Sequence, residues 1–190
     1  MAADKKGALE DGLTLVFVDE AGFSLRPSVR KTWAPRGKTP ILRTRFNWKR
    51  LNAIGALACY ADGAEPEMLL HLQPEPVRTD TIIGFLEQVH REVRGKVMLI
   101  WDGLTAHRSK ITKCHIEEQS AWLSVERFPA YAPELNPVEY LWSAIKGKYV
   151  ANRCCEYISE LETTVAAAKE RIATDTETMT GFLRASKLFG

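Results

Sequence analysis

Two unbroken apolar runs, LTLVFV at positions 13–18 and VMLIW at 97–101, constrain this chain more than any other feature. Both are strand-length, and neither shows the alternation of a strand with one wet face. A continuous run of this kind reads as a strand covered on both sides, which calls for helices above and below a sheet. Each run leads directly into an aspartate, Asp19 in VDEAGF and Asp102 in WDGLTAH. Both runs fall far short of the roughly 20 residues that a membrane-spanning helix needs. The N-terminal MAADKKGALEDG carries no apolar signal region, so a soluble protein of the cytoplasm is expected.

Between and after these runs the pattern alternates. Residues 31–46 (KTWA, PRGKTP, ILRTRF) read as a basic hairpin, and RLNAIGALACY and EMLLHL as two further strands. Ile82, Ile83, Leu86, Val89 and Val93 have helical spacing, with Thr79 as a candidate N-cap. A helix is expected over 109–119, a short strand at WLSVERF, a helix opening at Asn136 and a last helix over 158–173. Strands with a hairpin, followed by alternating helix and strand, predict an α/β fold with a mixed central sheet flanked by helices. The hydrophobic content of 45% in 190 residues suffices for one core. The expected organisation is a flexible lead at 1–12, a domain at 13–153 and a helical extension of it at 154–190.

Charge is unevenly placed. From position 21 to 61 there is no Asp or Glu, while Arg26, Arg30, Lys31, Arg36, Lys38, Arg43, Arg45, Lys49 and Arg50 supply nine positive charges in a chain of net charge +2. Such a stretch suits a polyanion, since clustered Lys and Arg neutralise phosphates and release counterions. Trp33, Phe46 and Trp48 lie among the basic residues and suit stacking on bases or sugars. A solvated hairpin with aromatics packed on the sheet reads equally well. Cys59, Cys114, Cys154 and Cys155 form no C-x-x-C pair, which points to reduced thiols rather than a zinc site or a disulfide framework.

Asp19 and Asp102 each have a plain reading as turn residues at strand exits. They also stand where side chains of an α/β sheet converge on a ligand. In FPAYAPELNPVEYLWSAIKG, Asn136 suits an N-cap and Pro137 the first helical position, which puts Glu139 in capping-box register. Glu134 stands outside the helix and has only a solvated-loop reading. Three carboxylates brought together need cations among them, and all-oxygen ligands suit Mg²⁺ or Mn²⁺. Two such ions about 4 Å apart support in-line phosphoryl displacement.

LVFVDEAGFSLRP, LIWDGLTAHRSK and YAPELNPVEYLWSAIKG together resemble the catalytic domain of DDE transposases, of the mariner-type superfamily and its bacterial insertion-sequence branch. The resemblance covers about residues 13–150 and rests on three motifs in order. It implies an RNase H-like fold with a metal-binding, catalytic triad of Asp19, Asp102 and Glu139, the last two separated by 36 residues. It implies a two-metal Mg²⁺ or Mn²⁺ site that cleaves DNA at transposon ends and joins the 3′ ends to target DNA. The expected partner is DNA, held by the basic residues named above and by Trp48 and Lys146. His107 matches the motif histidine, either touching substrate phosphate or bracing its loop, and Trp142 reads as core packing. Gly103 stands where many relatives have Asn. Relatives carry N-terminal helix-turn-helix modules, so a separate polypeptide bearing them and a homodimer assembled on DNA are further expectations, in the bacterial cytoplasm with the nucleoid. The alternatives are a catalytically silent, truncated fragment with a DNA-binding or regulatory role, and a cellular RNase H-like nuclease.

Overall fold

The computed structural model describes residues 12–44, 47–102, 107, 109–129 and 132–188. Five strands form one sheet: β1 (Thr14–Ser24), β2 (Arg50–Cys59), β3 (Glu67–Gln73), β4 (Val97–Trp101) and β5 (Leu123–Arg127). Their spatial order is β3-β2-β1-β4-β5. β2 runs antiparallel to both β1 and β3, whereas β4 pairs parallel with β1 and β5 parallel with β4. This is the expected mixed sheet, with the two apolar runs side by side at its centre.

Helices cover both faces. On one side α1 (Thr79–Glu92) packs Ile82, Phe85, Leu86 and Val89 against Val16, Val18, Ile54, Ala56 and Leu99, and α2 (Lys110–Glu118) adds Ile116. α1 begins at Thr79 with Arg78 at the cap, one residue earlier than its spacing suggests. On the other side α3 (Pro137–Ala144) continues as a wider π-helical turn, Ile145–Val150. It is joined there by α4 (Ile158–Ala173) and α5 (Thr176–Ala185), and together they cover Leu15, Phe17, Phe23, Leu51 and Leu57. The period of two along β1 thus sends Leu15 and Phe17 towards α3 and Val16 and Val18 towards α1. No helix among the described residues is long and apolar enough to cross a membrane.

Among the described residues the basic hairpin is not formed, and Arg45 and Phe46 lie outside them. β1 runs on to Ser24, and among the described residues 25–49 there is no strand. A hairpin needs one face to bury. Here residues 28–44 are exposed throughout, with Trp33 99% and Ile41 77% accessible. Pro27, Pro35 and Pro40 also lack the N–H that a ladder requires. The segment is instead pinned at its start. Asn152, in the left-handed conformation at φ 60°, accepts from the Arg30 N–H at 2.8 Å, and its Nδ2 donates to the Arg30 carbonyl at 2.9 Å.

Candidate active site

The central strands diverge where the chemistry lies. β1 and β4 pair only from Thr14↔Val97 to Phe17↔Ile100, so β1 continues beyond its parallel neighbour with β2 alone beside it. Asp19 therefore sits within a long strand, opposite Gly55 of β2, rather than at a strand exit. Asp102 follows β4 immediately. Alternation places Asp19 on the α3 side of the sheet and Glu20 on the opposite side.

α3 brings the third carboxylate. The buried Asn136 side chain caps the helix by accepting from the Val138 N–H at 3.1 Å, and its Nδ2 donates to the Val18 carbonyl at 3.4 Å. The first turn of α3 is thereby tied to β1 one residue before Asp19. The capping box with Glu139 is not made, because the Asn136 N–H already donates to the Pro133 carbonyl at 2.9 Å. Glu139 remains an exposed first-turn carboxylate. Glu134 lies in the short 3-10 turn Pro133–Leu135, exposed, with its carbonyl accepting from the Tyr140 hydroxyl at 3.4 Å.

Electrostatics ties the three acids together. Burial pushes the Asp19 carboxyl up to about 7, with Glu139, Glu20 and Asp102 adding repulsion and the Trp142 indole N–H, 2.9 Å from Oδ2, pulling the other way. A half-buried carboxylate among three others is what a divalent cation relieves. Among the described residues the group whose ligand atoms lie within 4.8 Å of one another is Glu20, Asp102 and His107, and Asp19, Asp102 and Glu139 are not drawn that close together.

His107 closes the opposite face. It is 1% exposed and stacks on Trp101, with centroids 4.0 Å apart and planes 1° apart. Its Nε2 lies 2.7 Å from Glu20 Oε1, and its Nδ1 lies 3.1 Å from both the carbonyl and Oδ1 of Asp102. Burial disfavours the charged imidazole, but the bonds to Asp102 and Glu20 outweigh it and raise the pKa to about 9. The ring thus ties the end of β4 to the middle of β1, beyond the point where the ladder between those two strands has stopped. Glu20, Asp102 and His107 also stand close enough to share a metal ion. Glu20 Oε2 is buried without a hydrogen-bond partner among the described residues.

The residues expected to meet DNA fall into two groups. Arg26, Arg30, Lys31, Arg36, Lys38, Arg43, Lys49 and Arg50 are exposed, and Trp48 is 69% accessible. Arg45, like Phe46 and Gly103, lies outside the described residues. Lys146 is half-buried with its ammonium 5.5 Å from the centre of the Phe23 ring, beside the α3 face of the sheet. His107, also expected to meet DNA or to brace its loop, is enclosed rather than exposed. The sequence reading does not single out Glu20 and takes Trp142 only as core packing. Glu20 could have been found by following the period of two past Asp19, whereas nothing in the sequence signals the Trp142–Asp19 bond.

A family described as DDE superfamily endonuclease matches residues 14–162. No curated protein sequence matches the chain. The fold resembles that in the crystal structure of the Mos1 mariner paired end complex with Mn, at TM-score 0.61 and 16% identity over 97% of this chain and 59% of that one. It resembles the catalytic domain of Mos1 mariner transposase at TM-score 0.54 and 13% identity over 96% of this chain and 86% of the other. A chain in a simian T-cell lymphotropic virus intasome matches at TM-score 0.53 and 13% identity, over 83% of this chain and 47% of that one. The chain spans 55% to 59% of the length of the first Mos1 complexes it matches. These likenesses identify the RNase H-like fold of transposase catalytic domains.

Proposed function

Since the chain belongs to the DDE superfamily endonucleases, we propose that it is a transposase catalytic domain that cuts DNA at transposon ends and transfers the 3′ ends to target DNA. The observation that carries this reading is the placement of the three carboxylates: Asp19 within β1 just past its ladder with β4, Asp102 directly after β4, and Glu139 in the first turn of α3, which Asn136 ties to β1. Asp19, Asp102 and Glu139 would hold two Mg²⁺ or Mn²⁺ ions, which when bound neutralise phosphate charge and acidify the attacking hydroxyl.

The chain's own residues then position and insulate. Asn136 fixes the start of α3 to β1 beside Asp19, and Glu139 stands in that first turn without taking part in the cap. His107 holds Asp102 from the side away from Asp19. Little covalent work falls to side chains in such chemistry, so placement carries most of the rate. The exposed residues Arg26, Arg30, Lys31, Arg36, Lys38, Arg43, Lys49 and Arg50 supply the phosphate contacts, with Trp33 and Trp48 as stacking surfaces. Mos1 structures contain transposon ends and, in separate complexes, Mn or Mg. By analogy this chain works on DNA as a homodimer, with end recognition by helix-turn-helix modules outside residues 1–190, on this or a separate polypeptide.

The test is nicking of supercoiled plasmid with Mg²⁺ or Mn²⁺ by the wild type and by Glu139→Gln. Metal-dependent nicking lost in the variant supports the reading. Nicking that survives Glu139→Gln at the wild-type rate removes Glu139 from the site.

A further inference from the structure

Trp142 has the place of a core residue and the bonding of something else. It is 2% exposed and meets Phe23 edge-on at 5.9 Å, which core packing explains. Packing does not explain why its indole N–H points at a carboxylate, donating to Asp19 Oδ2 at 2.9 Å. The approach is made possible by Gly55. Asp19 and Gly55 are cross-strand partners in the β1–β2 ladder, so a side chain at position 55 would stand beside that of Asp19 on the same face. The indole fills that space. A Cβ on Gly55 would lie 2.5 Å from Trp142 Cη2 and 2.7 Å from Cζ2, the ring edge next to the N–H. Gly55 is not in a left-handed conformation, so the ring above it, rather than backbone geometry, excludes a side chain there.

We propose that Trp142 and Gly55 form a positioning device for the metal site, in which the indole N–H fixes the carboxylate plane of Asp19 across the gap left by glycine. The inference rests on the reading of Asp19, Asp102 and Glu139 as cation ligands. Trp142 lies one turn after Glu139 on α3. One rigid helix thus delivers a candidate ligand and also orients a second one on β1. Partners that orient a ligand in this way typically change metal affinity by about 10- to 100-fold when removed.

The experiment measures Mn²⁺ binding to the full chain by the electron paramagnetic resonance of free Mn²⁺, with thermal melting in EDTA alongside. Replacing Trp142 by benzothienylalanine keeps the ring shape and removes the donor, and Trp142→Phe is the encoded counterpart. The expected result is Mn²⁺ binding weakened about 10-fold or more in both, with the EDTA melting of the benzothienylalanine protein close to that of the wild type. Gly55→Ala should weaken Mn²⁺ similarly in the wild-type background. It should add little in the Trp142→Phe background, where the distal ring atoms that a Cβ would strike are gone. Unchanged Mn²⁺ affinity in the benzothienylalanine protein overturns the positioning role while leaving the ligand assignment standing. Absence of Mn²⁺ binding by the wild type overturns both.

Discussion

Replacing Asp19 by Asn should stabilise the metal-free protein, although it removes a residue placed at the centre of the site. The carboxyl is raised from 3.8 to about 7, first by burial and then by Glu139 and Glu20. At about 1.4 kcal/mol per unit, a rise of this size corresponds to about 4 kcal/mol of strain in the ionised form. Asp19 keeps a wet edge, and solvent screening brings the expected gain to roughly half of that, about 2 kcal/mol. Asparagine retains an oxygen to accept from Trp142, so the gain is not cancelled by a missing bond. For a chain of this size about 2 kcal/mol moves the melting temperature by roughly 4 to 8 °C. The sign follows from linkage: a raised folded-state pKa gives stability that is complete below about 3.8 and is lost as pH rises through about 7. The advantage of Asp19→Asn is therefore small at pH 4, grows to pH 7 and is full at pH 8. Thermal melting of both proteins in EDTA across this range measures it. Added Mg²⁺ should reverse the order, since only the wild type gains from the cation. Equal melting at pH 8 in EDTA, or a difference that ignores pH, would refute the carboxylate repulsion.

Three further outcomes are expected. Asp102→Asn should fold as the wild type and lose metal-dependent nicking by at least 100-fold, about 2.7 kcal/mol of transition-state stabilisation, read from plasmid relaxation; cleavage at the wild-type rate would exclude Asp102. His107, raised to about 9 chiefly by the bonds to Asp102 and Glu20 against the cost of burial, contributes stability present below about 6.5 and lost as pH rises through about 9. Glu20→Gln should lower the imidazole titration measured by ¹⁵N NMR, and an unmoved titration would show that Glu20 does not hold the ring charged. Reversing Arg36, Lys38 and Arg43 to Glu should weaken duplex binding and reduce the salt slope by about 3, near 0.9 for each phosphate no longer neutralised; an unchanged slope in fluorescence anisotropy would make the segment a solvated surface.

Much of this was legible because the strongest signals were local. The runs ending in Asp19 and Asp102 could bury both faces only as neighbouring central strands, and they do. Asn136 and Pro137 marked the start of α3 through cap chemistry that is independent of tertiary context. What escaped depended on distant partners. The apparent hairpin failed because nothing in the described fold covers residues 28–44, which a local pattern does not reveal. α5 was missed because Thr176, Thr178, Thr180 and Gly181 dilute a helix that its docking on α3 and α4 stabilises. The capping box at Glu139 was sound as spacing but gave way to the Pro133 carbonyl. The Glu20–His107 and Trp142–Asp19 bonds join residues 87 and 123 positions apart, so no local motif signals either pairing.

The position of Mn²⁺ in crystals of the full chain, read from its anomalous scattering, tests the central assignment most directly. Manganese held by Asp19, Asp102 and Glu139 is the expected result, with His107 still bonded to Glu20. Manganese on Glu20, Asp102 and His107 instead, with Asp19 and Glu139 left bare, would contradict it.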